Sequence, residues 1–285
     1  MFLAETTDLS APGSPDRCPA CGEIAATVAG SVLWPELISE WELTPEWAEY
    51  FDQREGHRCG KCQVSLRSQS LARGILRAGF QLIHVNGLSL RALCQEPAFR
   101  SLQQAEINSA GGLHPFLAEL PNLRYSEFGG MMPGTPSEDL MVALSYATDS
   151  LDMVITSESL EHIPDVTAVL REIHRVLRPG GFHVFTVPIV WDRACTRTRA
   201  SLRGSEIVHH LPPSYHGRTG IKADDLLVFH EFGRDFSGRC KTAGFETEVL
   251  HHPQNPALLS LLTRKPAIRA SDVHARSPQA LRPTA

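Results

Sequence analysis

Leu151-Asp-Met-Val-Ile-Thr-Ser-Glu-Ser-Leu-Glu-His-Ile163, with Leu177-Arg-Pro-Gly-Gly-Phe-His-Val-Phe-Thr-Val-Pro188 downstream, is the part of the sequence that decides the fold. The first run is entered by Asp152 and left through Thr156, Ser157 and Glu158, the pattern of a buried parallel strand that ends in a ligand-facing loop. From Val166 to Leu177 the apolar residues Val166, Val169, Leu170, Ile173, Val176 and Leu177 recur at helical spacing, and Pro179-Gly180-Gly181 stops that helix. Phe182 to Val187 then reads as a second strand. This βαβ unit predicts an α/β fold around a mostly parallel sheet.

At 285 residues the chain is long enough for one sizeable core with room for an added module. Met1 to Pro15 is polar and reads as a disordered lead rather than a signal peptide. No stretch is apolar enough to span a bilayer, so the expectation is a soluble cytoplasmic protein. The net charge of −5 weighs against a general nucleic-acid binder, which needs a concentrated basic surface.

Seven cysteines include the pairs Cys18-Pro-Ala-Cys21 and Cys59-Gly-Lys-Cys62. Two Cys-x-x-Cys knuckles in a chain without a secretory signal point to four thiolates around one structural Zn2+, closed to catalysis because no coordination position is left. A redox pair and a reduced, metal-free set are the competing readings. Trp34, Leu37, Ile38, Trp41, Trp47 and Phe51 place helices between the knuckles. The expected organisation is a lead at 1–15, a zinc-ribbon-like module with a helical insert at 16–68, and a helical connector at 69–103. An α/β domain follows at 104–265, and a disordered tail at 266–285.

The Ser-Glu-x-Leu-Glu-His loop paired with the Leu-x-Pro-Gly-Gly turn resembles the second half of class I S-adenosylmethionine-dependent methyltransferases. That resemblance covers about Gln104 to Arg264 and implies a Rossmann-like sheet with an antiparallel last strand. It also implies a first motif at Gln104 to His114. Glu106 takes the acidic place, Asn108 and Ala110 stand where the family has glycines, and Gly112 matches the third glycine. Glu127, at the end of Leu123-Arg-Tyr-Ser-Glu127, has the spacing of a ribose-binding carboxylate. Asp139 matches the residue that accepts from the adenine amino group, with Leu140 packing nearby, and Ser157 and Glu158 line the cofactor or substrate pocket. Only about a dozen residues separate Glu127 from Asp139, so the second crossover helix is expected to be missing and that sheet edge trimmed.

Residues 191–230 read as an insertion that forms a lid or substrate loop. Arg193, Arg197, Arg199 and Arg203 either hold a phosphate or carboxylate of the substrate or belong to a solvated helix. His209, His210, Tyr215, His216, His230 and Glu231 are placed to surround a hydroxyl substrate. His216, His230 and Glu231 are the candidate catalytic residues, since neutral imidazole is a suitable base. A second reading gathers His209, His210, His216 and His230 into another metal site. Glu161 and His162 read as braces of the loop after the strand.

The leading function is an S-adenosylmethionine-dependent O-methyltransferase acting on a small molecule or glycan, with no membrane partner. The alternatives are a ribosomal RNA methyltransferase and a catalytically degenerate, zinc-dependent docking protein.

Overall fold

A computed structural model of the chain describes residues 6–8, 17–87, 89–128, 134–216 and 226–267. In chain order the strands are β1 (Thr6–Asp8), β2 (Thr27–Val28), β3 (Arg58–Cys59), β4 (Gln104–Ile107), β5 (Leu123–Ser126), β6 (Leu151–Ser157) and β7 (Leu177–Thr186). They continue with β8 (Arg197–Thr198), β9 (Ala200–Arg203), β10 (Glu206–His209), β11 (His230–Glu231), β12 (Glu246–His252) and β13 (Asn255–Arg264). The helices are α1 (Pro35–Glu40), α2 (Pro45–Gly56), α3 (Leu66–Ile83), α4 (Leu90–Leu93), α5 (Pro97–Arg100), α6 (His114–Leu117), α7 (Val166–Val176) and α8 (Phe236–Thr242).

Seven strands form one sheet in the order β1-β12-β13-β7-β6-β4-β5. β5, β4, β6 and β7 run parallel, and β13 returns antiparallel between β7 and β12. This is the Rossmann-like, mostly parallel sheet with an antiparallel last strand that the sequence implied. The edge beyond β5 is trimmed: among the described residues no further strand lies there, only a single bridge between Glu127 and Ser137.

The two faces of the sheet carry separate apolar layers. On one, α7 places Val166, Val169, Leu170, Ile173 and Val176 beside Val154, Phe185 and Leu261. On the other, Leu71, Ala72, Ile75 and Ala78 of α3 join Ile155, Val184 and Leu262. A Cβ on Gly74 would lie 2.8 Å from Val184 Cγ1, so glycine is what lets α3 sit this close to the strands.

Four expectations change. Pro179-Gly180-Gly181 does not separate helix from strand: β7 already begins at Leu177, and the glycines form a bulge where the register slips between Leu151 and Met153. A Cβ on Gly181 would meet the Asp152 and Arg178 carbonyl oxygens at 3.0 Å, so any larger residue would push the bulge apart by a few tenths of an ångström. The helical connector expected at 69–103 is not continuous: after α3 it is two single-turn pieces, α4 and α5, because Pro97 starts a new helix. Within the expected disordered lead, Thr6–Asp8 pairs in parallel with β12; 1–5, 9–16 and the tail from 268 lie outside the described residues. The 16–68 segment does not stand apart, since α2 packs on β13 and α3.

Candidate functional site

The carboxyl ends of β4, β5 and β6 meet at one rim. Asn108 leaves β4 with φ at 59°, a left-handed conformation that asparagine tolerates better than most residues. Its side chain is used twice: Nδ2 donates to Ser159 Oγ at 3.2 Å, and Oδ1 accepts from the Phe128 amide at 2.8 Å. One side chain thereby ties together the loops after all three strands.

Glu106, fully buried on β4, turns the next loop back on itself. One carboxylate oxygen accepts from the Ala110 amide at 2.7 Å and the other lies 2.7 Å from His114 Nδ1. Burial raises its pKa, and these two bonds oppose that rise. Gly111 takes φ at 63°, and a Cβ on Gly112 would come within 3.1 Å of Val64 Cγ2, just before α3. On β5, Tyr125 donates its hydroxyl to buried Glu127, and its ring lies 4.1 Å from that of His114 at a tilt of 38°. The Glu127 amide donates to Pro136 O at 3.0 Å, which brings the 137–140 segment alongside. Asp139 there is half-buried and accepts from the Met141 amide at 2.8 Å, while Leu140 is buried.

Ser157 ends β6, its Oγ 3.0 Å from Thr186 Oγ1 and accepting from Arg67 Nη1 at 2.7 Å. Glu158 follows with φ at 48°, and its carboxylate receives both terminal nitrogens of Arg54, at 2.7 and 3.0 Å. Burial by itself would raise the Glu158 pKa, but the Arg54 and Arg67 guanidinium groups outweigh it and bring it down to about 2. Arg54 is only 1% exposed and also donates to Ala257 O at 3.1 Å, so α2 is anchored on the rim. Glu106, Asn108, Ala110, Gly112, Glu127, Asp139, Leu140, Ser157 and Glu158 therefore stand along one edge.

A cavity of about 520 Å³ opens beside Glu158, between that rim and the first helices of the chain. Trp34, Trp41 and Phe51 belong to its apolar wall, and Arg54, Glu55, Arg58, Arg67, Glu158 and His216 are its polar groups.

The insertion delivers His216 to this cavity but sends its other candidates elsewhere. His230 Nε2 donates to Pro164 O at 3.1 Å, and Glu231 is buried under Arg193 and Arg199; neither lines the cavity. Of the three catalytic candidates, only His216 reaches this cavity. Arg193 and Arg199 converge on Glu231 instead of facing a substrate, whereas Arg197 is 38% exposed and pairs with Glu42 at 2.9 Å, and Arg203 is exposed. The converging pair also grips the first helices, Arg199 through Glu40 O at 3.1 Å and Arg193 through Trp41 O. His210 pairs with Ser201 at 2.8 Å, so the four insertion histidines do not assemble a metal site.

His216 instead meets the loop after β6. Its ring centroid lies 4.9 Å from that of His162, which neighbours Glu161. Burial lowers the pKa of His216 to about 3 and also lowers that of His162. Burial, followed by the charge of Glu158, pushes that of Glu161 well up.

The four paired cysteines gather in the N-terminal module, all sulfurs within 4.8 Å of one another. Cys18 lies 3.7 Å from Cys62 and Cys21 lies 4.0 Å from Cys59, far beyond a disulfide bond. A tetrahedron of thiolates around an ion with bonds of ~2.3 Å has edges of roughly 3.8 Å, so the spacing fits zinc. The Lys61 amide also donates to Cys59 Sγ at 3.4 Å, a bond that favours thiolate.

Arg54 and Arg67 were missed by the sequence reading. Arg54 had a detectable signal: it follows Trp47 and Phe51 at helical spacing, on the apolar face of α2, and a cation on a buried stripe calls for a buried acid. Arg67 had none, because its partners are remote in sequence.

A family model described as methyltransferase domain matches residues 137–185, which include β6, α7 and most of β7. Methyltransferase GfsG of Streptomyces halstedii is 55% identical over 38 residues, 13% of this chain and 14% of that protein. A ubiquinone biosynthesis O-methyltransferase of Xanthomonas oryzae pv. oryzae is 33% identical over 84 residues, 29% of this chain and 34% of that protein. The chain spans about a third or less of the length of these curated relatives. An S-adenosylmethionine dependent methyltransferase from Mesorhizobium loti superposes with a TM-score of 0.40 at 17% identity, covering 61% of this chain and 95% of that one. For the 1,6-didemethyltoxoflavin-N1-methyltransferase of Burkholderia thailandensis the TM-score is 0.40 at 13% identity, with coverages of 85% and 95%.

Proposed function

We propose that this protein is an S-adenosylmethionine-dependent methyltransferase that modifies an oxygen of a small-molecule or glycan acceptor in the cytoplasm. The observation that carries the reading is the rim itself, where a small-residue loop, the acids Glu127 and Asp139, and Ser157 converge beside an aromatic-walled cavity. The family match over 137–185 supports it.

The rim fits the cofactor. The loop at Gly111 and Gly112 has no side chain to block a ligand, and the Glu127 carboxylate has one oxygen bound by Tyr125 and a second suited to a ribose hydroxyl. Glu127 would hold the ribose, Asp139 and Leu140 the adenine, and Asn108 to Gly112 with Ser157 the amino-acid end. The bound cofactor supplies a methyl group on a positively charged sulfur. The protein then has to exclude water and hold the acceptor in line. The tryptophans do the first, and His216 brings a neutral imidazole to the same cavity. Oxygen is favoured as acceptor atom by the named activity of the Xanthomonas relative.

Cys18, Cys21, Cys59 and Cys62 would hold a structural zinc ion. That ion fixes the segment from which Arg54 and Arg67 reach the rim, which gives the module a place in the site.

Titrating the zinc-loaded protein with S-adenosylmethionine in a calorimeter tests the assignment, and one binding site per chain is expected. Absence of heat would favour a docking protein. Tight RNA binding with a steep salt dependence would favour the RNA enzyme.

A further inference from the structure

Glu161, His162 and His216 are not explained by the cofactor rim. Glu161 is fully buried, yet neither of its carboxylate oxygens has a hydrogen-bond partner among the described residues. Leaving such a group unsatisfied costs free energy, so it implies a missing partner. His216 Nε2 is likewise out of contact with solvent and unpartnered. One ligand atom from each of the three residues lies within 4.8 Å of the others.

The tautomer of His162 is fixed by geometry. Its Nδ1 lies 3.1 Å from the Leu227 carbonyl oxygen, which can only accept, so Nδ1 carries the proton and Nε2 presents a lone pair. That Nε2 is 3.8 Å from Glu161 Oε1. A histidine that donates one ring N–H to a carbonyl while offering the other nitrogen inward is the usual arrangement of a metal-ligating imidazole.

We propose that Glu161, His162 and His216 form a second metal site, for a divalent first-row transition ion, at the floor of the acceptor cavity. Two imidazoles and one carboxylate suit such ions and leave coordination positions open. Bonds of ~2.1 Å require the ligand atoms to close by roughly 1 Å, within the reach of side-chain rotation. One of the three ligands, His216, also lines the cavity. The insertion supplies the third ligand, which accounts for its long path back to the loop after β6.

The site deepens the methyltransferase reading and rests on it for its role. An acceptor oxygen bound to the ion loses its proton to solvent more readily. The oxygen lone pair then forms the O–C bond as the C–S bond breaks, the bonding pair returns to sulfur, and the sulfonium becomes a neutral thioether. The acceptor class this favours is one with oxygen donors, such as a phenol, a diol or a sugar.

The test uses the full chain with zinc already in its cysteine site. Cobalt(II) is added and followed by calorimetry and visible absorption. The expected result is one further equivalent with weak nitrogen–oxygen d–d bands and no thiolate charge-transfer band. Glu161→Gln and His216→Ala should each weaken that binding at least 30-fold. S-adenosylmethionine binding by the same samples, measured separately, shows that they are folded and judges the cofactor reading independently. No second equivalent, or equal cobalt affinity in the variants, would overturn the site. Loss of cofactor binding in every sample, with cobalt binding intact, would overturn the enzyme reading alone.

Discussion

Removing the Arg54–Glu158 pair one partner at a time should reveal how strongly the N-terminal module is bolted to the rim. The two side chains are 1% and 18% exposed, so solvent screens them little. A glutamate brought from 4.5 to about 2 by its surroundings gains about 3 kcal/mol for the ionised form, at ~1.4 kcal/mol per pH unit. Because the folded-state pKa is the lower one, this stabilisation is complete above pH 4.5 and disappears as pH falls toward 2. At pH 7 the whole of it is present. Arg54→Met should then cost about 3–5 kcal/mol, since it strands a buried carboxylate. Glu158→Gln should cost less, and the double variant should recover part of the loss. Urea unfolding of the four zinc-loaded proteins gives the coupling energy, expected at about 1.5–3 kcal/mol because Arg67 also holds Glu158 ionised; the cycle cancels what Arg54 donates to Ala257. A coupling energy below about 1 kcal/mol would refute the argument that this pair holds module and sheet together.

Three further outcomes follow from the same geometry. Thiol titration of the native protein should detect one fast thiol, exposed Cys195, and a strong chelator should release four more from Cys18, Cys21, Cys59 and Cys62 with one zinc ion per chain; five fast thiols before chelation would exclude the ion. Asn108→Ala should lose about 2 kcal/mol from two bonds and the left-handed backbone, whereas Asn108→Gly should recover about 1 kcal/mol of it, as read by denaturant midpoints. Glu127→Ala should weaken S-adenosylmethionine at least tenfold in calorimetry with little change in the unfolding midpoint, and unchanged affinity would misplace the ribose.

Elements governed by local pattern were legible in the sequence. The β6–α7–β7 unit and the trimmed edge after Glu127 follow from periodicity, glycine placement and segment length, and the antiparallel last strand from the family resemblance. The start of β7 was not, because the bulge at Gly181 depends on the neighbouring strand's carbonyls. Glu127 and Glu158 stood out because each directly follows a recognisable strand. The insertion could not: Arg193, Arg199 and Glu231 are neutralised by partners remote in sequence, and nothing in His230 or Glu231 tells a buried structural role from a catalytic one. Asn108 shows the same limit, since its two bonds reach residues 20 and 51 positions away.

A crystal structure of the zinc-loaded protein with S-adenosylhomocysteine tests the central claim most directly. The account predicts ribose density against Glu127, the adenine between Asp139 and Leu140, and the sulfur near Ser157, pointing toward the cavity of Trp41 and His216. Density for the ligand on the opposite end of the sheet, with Glu127 and Asp139 untouched, would contradict it.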